Sequence, residues 1–158
     1  MMMESVLSLL RQSSIPYELA THPALFHMEE GQSLPHPEAV AKNLFLKERK
    51  GERYFLVTLP RTEKANFQHL RNFFQSGSLT MASPDELQQI LGLGLGTATP
   101  FGLLRDQEHR VEWGLARNFR GNLIGVHPNV NTATVYLLAD QLFLLLTKLG
   151  CRGRWMEE

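Results

Sequence analysis

Apolar residues recur along this chain at two spacings, and the places where the spacing changes mark its elements. Val6, Leu7, Leu9 and Leu10 fall at helical spacing, and Ser14-Ile15-Pro16 stops the pattern. A short strand is predicted over Tyr17–Thr21, a helical turn or two over Met28–Gln32, and a second short helix near Glu38–Ala41. Asn43–Lys47 and Arg53–Leu59 are rich in Leu, Phe, Tyr and Val on either side of Lys50-Gly51-Glu52, which predicts a β-hairpin. Pro60 ends its second strand, because proline has no N–H to give to the ladder. Phe67, Leu70, Phe73 and Phe74 form the stripe of an amphipathic helix, closed by Gly77, and Leu79–Ala82 reads as a brief strand.

Ser83-Pro84-Asp85-Glu86 is a helix start: a serine N-cap, proline in the first turn, and a glutamate three residues on that completes a capping box. That helix runs to Leu91 and stops at Gly92-Leu93-Gly94-Leu95-Gly96. Strands are predicted at Phe101–Leu104, Val111–Ala116, Leu123–Val126 and Thr134–Leu138, and a final helix over Ala139–Leu149 ends at Gly150. Strands outnumber helices and short turns join most neighbours. The expected fold is therefore α+β: a mixed, largely antiparallel sheet, curled or barrel-like, with helices around it.

At 158 residues, one compact domain over 1–158 is expected, and 43% hydrophobic with 20% charged residues fits a soluble globule. The lone Cys151 excludes an internal disulfide and the multi-cysteine zinc sites, and points to an inert thiol in a reducing compartment. The start lacks the basic and apolar regions of a signal peptide, and no run reaches the ~18 apolar residues of a membrane span. A cytoplasmic protein with no membrane association is expected.

Charge changes the picture locally. Residues 1–41 carry one arginine against five glutamates, whereas residues 42–71 carry eight lysines and arginines against three glutamates. A basic zone on a chain of zero net charge suits a phosphate-bearing partner met at one face, or is a solvated hairpin. Lys47, Arg49, Lys50 and Arg53 are its hairpin members.

The glycine run follows a helix rather than a strand and lacks the Gly-Lys-Ser/Thr that reaches phosphates, so a P-loop or dinucleotide loop is rejected. It either ends a helix or brings backbone close to a ligand, with Pro100 fixing the exit. His127-Pro128-Asn129-Val130-Asn131-Thr132-Ala133-Thr134 groups polar side chains between two apolar strands, as a substrate-orienting cluster or as an Asx-rich turn. His127 is a candidate base or a structural histidine. Lys42, just before Leu44-Phe45-Leu46, would be held at the edge of the core, where it binds an oxygen or blunts a sheet edge. No nucleophile elbow and no metal-ligand spacing is present in the sequence.

Three segments occur in the order and spacing of one family. Lys42-Asn43-Leu44-Phe45-Leu46-Lys47, Gly96-Thr97-Ala98-Thr99-Pro100-Phe101-Gly102 and the cluster from His127 to Thr134 resemble the YbaK/ProX family of prolyl-tRNA editing domains. His22-Pro23 with Glu29-Glu30, and Tyr54–Val57, extend the likeness over nearly the whole chain. The resemblance implies a trans-editing deacylase that hydrolyses the ester of a wrong amino acid on the tRNA for proline. Alanine is the preferred amino acid, with cysteine or another small residue as the alternative, and a non-catalytic module binding tRNA or synthetase as the third reading.

The resemblance assigns Lys42 the catalytic position, holding the 3′-terminal adenosine or its phosphate and the ester. It places Gly96, Pro100 and His127 at the substrate, so Asn43, Phe45, Thr97, Ala98, Thr99, Asn131 and Thr134 of the same motifs are expected around it, and the basic hairpin residues Lys47, Arg49, Lys50 and Arg53 are expected toward the tRNA. It implies no metal and no cofactor, tRNA as partner with prolyl-tRNA synthetase as a possible second, and a water activated through the terminal 2′-hydroxyl. Glu112-Trp113-Gly114-Leu115-Ala116 departs from the pattern by lacking an acidic strand end.

Overall fold

The computed structural model describes residues 2–24, 34–94 and 96–157. In chain order the regular elements are α1 (Met3–Gln12), β1 (Glu18–Thr21), β2 (Ala41–Glu48), β3 (Tyr54–Pro60), α2 (Phe67–Phe74), β4 (Leu79–Met81), α3 (Pro84–Leu91), β5 (Val111–Ala116), β6 (Leu123–Val126), β7 (Ala133–Leu138), α4 (Ala139–Lys148) and β8 (Arg152–Met156). Three 3-10 turns, Pro37–Ala39, Pro100–Arg105 and Arg117–Phe119, sit between them.

The strands form two sheets. One has the order β1-β7-β6 and is antiparallel; the other has the order β4-β2-β3-β5-β8, antiparallel as far as β3 and parallel beyond it. A bridge between Val40 and Gly125 joins them at the start of β2, so the sheets curl toward each other without closing a barrel among the described residues. The expected mixed, largely antiparallel α+β architecture is what the chain adopts.

β5 lies between two parallel neighbours, and all six of its residues are buried, as a strand covered on both faces must be. Glu112 is the charged member of that strand, and its burial is offset by two bonds from Arg53, at 2.9 Å from Nε and 2.9 Å from Nη2. The core around β5 includes Phe55, Leu56, Phe101, Leu115 and Leu142, with Val6 and Leu10 supplied by α1.

Two sequence expectations need correction, and one strand was not expected. Phe101–Leu104 is not a strand. Pro100 opens a 3-10 turn in which Thr99 accepts from the Phe101 N–H, and Pro100, Phe101, Gly102 and Leu103 are all buried, so a short apolar run does not tell the two structures apart. α2 ends at Gln75, which takes the left-handed conformation (φ 52°), two residues before Gly77. Strand β8 was not foreseen: Arg-Gly-Arg-Trp-Met carries a weak alternation, and it pairs because β5 offers it a parallel edge. The turn expected over Met28–Gln32 lies outside the described residues, and the short helix near Glu38 is the 3-10 turn at Pro37–Ala39. The capping box at α3 is present, with Ser83 accepting from the Glu86 N–H at 3.1 Å and Glu86 from the Ser83 N–H at 2.8 Å.

Candidate functional site

The site is a gap in the sheet beside β2. In the β2–β3 ladder the pairs Glu48/Arg53 and Val40/Arg61 are bonded through their backbones, so Lys42/Leu59 and Leu44/Val57 are bonded as well. The alternate pairs Ala41/Pro60, Asn43/Thr58 and Phe45/Leu56 then point their backbone groups away from β3. Pro60 is tolerated because it falls on one of these. On the far side of β2, β4 covers residues 46–48, the Ala82 N–H reaches the Phe45 carbonyl at 2.9 Å, and β6 bridges at Val40. Between those two covers the N–H and C=O of Asn43 face outward into open space.

That space is a cavity of about 260 Å³. β2 lines one side from Val40 to Phe45, and Met81–Pro84 with Leu87 form the α3 side. Gly125, Val126, His127 and Thr134 form the β6–β7 side, while Gly96 and Ala98 close the loop side. Lys42 is half-buried in this wall, and its ammonium has no hydrogen-bond or ion-pair partner among the described residues. Gly96 sits at φ +82°, a left-handed conformation that costs glycine nothing and lets the loop turn back toward the wall. Thr99 is fully buried, and its hydroxyl donates to the His127 carbonyl at 2.6 Å, tying the loop to the end of β6.

His127 Nδ1 lies 3.0 Å from the Ala133 carbonyl. A carbonyl only accepts, so Nδ1 carries a proton, and in the neutral ring Nε2 keeps a free lone pair. Burial lowers the His127 pKa from 6.5, the Ala133 carbonyl opposes that shift, and the nearby His22 adds to it; the neutral ring prevails at pH 7. His22, part of the early segment that carries the family likeness, is bonded to the same wall: its Nε2 is 2.9 Å from the Thr134 hydroxyl, and its ring centre is 6.3 Å from that of His127.

Of the residues expected around a substrate, the fold brings Lys42, Asn43, Phe45, Gly96, Ala98, His127 and Thr134 onto one cavity. Thr97, Thr99, Pro100 and Asn131 are not on its wall. Thr97 bonds back to Gly94, Thr99 braces the loop from behind, Pro100 opens the buried 3-10 turn and Asn131 lies in the turn before β7. The basic hairpin residues divide similarly. Lys47 pairs with Glu86 at 3.1 Å, and Arg53 is engaged by Glu112, by the Phe74 and Gln75 carbonyls and, at 3.9 Å, by Glu48. The Arg49 and Lys50 side chains are exposed at the hairpin tip without a partner among the described residues.

Sequence reading missed the α3 side, Met81 to Leu87, because nothing local in a capped helix start shows which cavity it borders. No group of His, Cys, Asp and Glu among the described residues could hold a metal ion, and no helix among them is long and apolar enough to cross a membrane.

The model of the aminoacyl-tRNA editing domain family matches residues 22–144, which holds every wall of this cavity. The chain belongs to that family. This editing domain is 34% identical over 142 residues to the prolyl-tRNA editing protein ProX of Acetoanaerobium sticklandii, covering 88% of this chain and 87% of the relative. It is 31% identical over 146 residues to the prolyl-tRNA synthetase associated domain-containing protein 1 of Mus musculus, covering 87% and 85% of the two chains. Among solved structures, the editing domain shares its fold with a candidate trans-editing enzyme for prolyl tRNA synthetase, at TM-score 0.72 and 18% identity over 99% of this chain and 96% of the other.

Proposed function

We propose that this chain removes alanine from mischarged tRNA for proline in trans, with the cavity beside β2 holding the aminoacyl-adenosine end. The class of reaction, hydrolysis of an aminoacyl-tRNA ester, comes with the family; the amino acid, the tRNA and the residue roles are the proposal. The observation that carries it is the juxtaposition of an unpaired, half-buried Lys42 ammonium with the outward-facing backbone of Asn43, across a small cavity from the Gly96 loop and from His127, whose Nδ1 is held by the Ala133 carbonyl.

Each part has a task that its chemistry permits. Lys42 is a compact charge held where it meets a phosphate or carbonyl oxygen of the acceptor end. The Asn43 N–H donates to the ester carbonyl, and its C=O accepts from the α-ammonium, much as an added strand would pair with the edge of β2. Nε2 of His127 accepts a proton-bearing group, the attacking water or the terminal 2′-hydroxyl. No nucleophile–base pair is needed: the ester is activated already, and positioning with charge stabilisation supplies the rate. A cavity of about 260 Å³ with mostly apolar walls favours a small side chain, although one methylene alters binding by only about 1–3 kcal/mol. The exposure of Arg49 and Lys50 at the hairpin tip supports a role in meeting tRNA phosphates, and the name of the mouse relative supports a prolyl-tRNA synthetase as second partner.

The test is a deacylation panel with alanine, cysteine and serine on the tRNA for proline. The alanyl ester should decay fastest, and Lys42→Ala should slow it by about 100-fold. Persistence of all three esters at the buffer rate overturns the enzyme reading and favours a non-catalytic binding module.

A further inference from the structure

Thr58 is a hydroxyl in the middle of the core. It is fully buried on β3 between Val57 and Leu59, and a buried hydroxyl without partners is costly. Both of its bonds are made, and the sense of the first is fixed by chemistry. The Trp113 indole N–H can only donate, and it donates to Thr58 Oγ1 at 2.9 Å from the neighbouring strand β5. The second lone pair of Oγ1 could accept from a flipped amide, but the Thr58 hydroxyl proton would then have no acceptor among the described residues; that proton goes to Asn43 Oδ1 on β2 at 2.5 Å. Asn43 and Thr58 form a pair whose backbones are not bonded to each other, the arrangement that brings side chains of adjacent strands closest.

This one-way chain, indole to hydroxyl to carboxamide oxygen, settles which end of the Asn43 amide faces which way. Its oxygen is turned to Thr58. Its NH2 has no partner among the described residues, and Asn43 is half-buried in the cavity wall. We propose that Trp113 and Thr58 are positioning residues that hold the Asn43 amide with its NH2 toward the cavity, so that Asn43 donates to an oxygen of the bound aminoacyl-adenosine. The inference rests on the editing reading of the cavity and adds a specific requirement to it: two buried residues that touch no substrate set the donor character of one that does.

The probe is 3′-deoxy-3′-alanylamino-adenosine, an amide-linked analogue that keeps the carbonyl and the 2′-hydroxyl but resists hydrolysis. Its Kd is measured by calorimetry on the wild type, Thr58→Val, Thr58→Ser and Trp113→Phe, alongside the thermal midpoint of each protein. Thr58→Val keeps the shape and removes the relay, and should weaken binding about tenfold. Thr58→Ser restores the hydroxyl and should bind within about twofold of the wild type, and Trp113→Phe, which frees the Thr58 hydroxyl to rotate, should fall between them.

A structural role for Thr58 alone would lower the thermal midpoint of Thr58→Val and leave the Kd unchanged, which would overturn the proposal. If Thr58→Val does not fold, Trp113→Phe decides by the same criterion. Failure of the wild type to bind the analogue removes the editing reading and the relay together, whereas wild-type binding with unaltered affinity in the variants removes the relay alone.

Discussion

The carboxylate of Glu86 accepts a hydrogen bond from the Tyr54 hydroxyl at 2.6 Å, which ties the first turn of α3 to the β2–β3 hairpin. The same carboxylate meets Lys47 at 3.1 Å and completes the capping box at Ser83. One side chain therefore fixes the α3 side of the cavity against the β2 side. The Tyr54 bond, then the Ser83 backbone, hold its pKa down from 4.5 to about 2. A depressed carboxylate pKa gives stability that is complete above about 4.5 and is lost as pH falls toward about 2. Glu86→Gln should cost about 1–2 kcal/mol at pH 7 in urea unfolding, and the difference from the wild type should shrink as the pH is lowered through that window.

Gly125 is needed where β6 turns past Tyr136. A β-carbon there would stand 2.7 Å from Cε1 of its cross-strand partner Tyr136, a ring that is fully buried and has nowhere to move. Gly125→Ala should destabilise the chain by about 1–3 kcal/mol in thermal or chemical unfolding. Because Gly125 also makes the bridge to Val40, the substitution should loosen the cavity wall and weaken analogue binding.

His127 should titrate below 6.5 when its ring protons are followed by NMR, since burial is the largest influence on it. The unfolded chain then binds a proton that the folded chain resists, so His127 contributes stability above pH 6.5 that is lost as pH falls toward the lowered folded value. Replacing His127 with glutamine should flatten the pH dependence of stability in that window. A folded-state midpoint above 6.5 would contradict the neutral-acceptor role.

Much of this fold is legible where the signal is local. Ser83-Pro84-Asp85-Glu86 specifies its cap through bonds three residues apart, and the β2–β3 hairpin follows from two apolar runs around Lys50-Gly51-Glu52. Lys42, Gly96 and His127, each in its own local motif, line one cavity. The illegible parts depend on partners distant in sequence. Arg53 looks like a surface cation until Glu112, on a strand 59 residues away, is placed beside it. Nothing near Thr58 shows that Trp113 will meet it, and Arg152–Met156 becomes a strand only because β5 has an open edge.

Cys151 is buried, and burial, with Asp106 nearby, pushes its thiol up to about 11. The thiolate is the reactive form, so iodoacetamide at pH 7.5 should label the native chain far more slowly than the chain in urea. Equal rates would show that the end of α4 opens readily.

The central claim is that the cavity beside β2 hydrolyses the small, wrong ester and leaves the right one. The direct measurement is the single-turnover decay of alanyl- and prolyl-tRNA for proline, side by side, with enzyme in excess. The alanyl ester should be lost at least about tenfold faster than the prolyl ester, and Lys42→Ala should bring it back toward the buffer rate. Equal decay of the two esters, or alanyl decay unaffected by Lys42→Ala, would contradict the account.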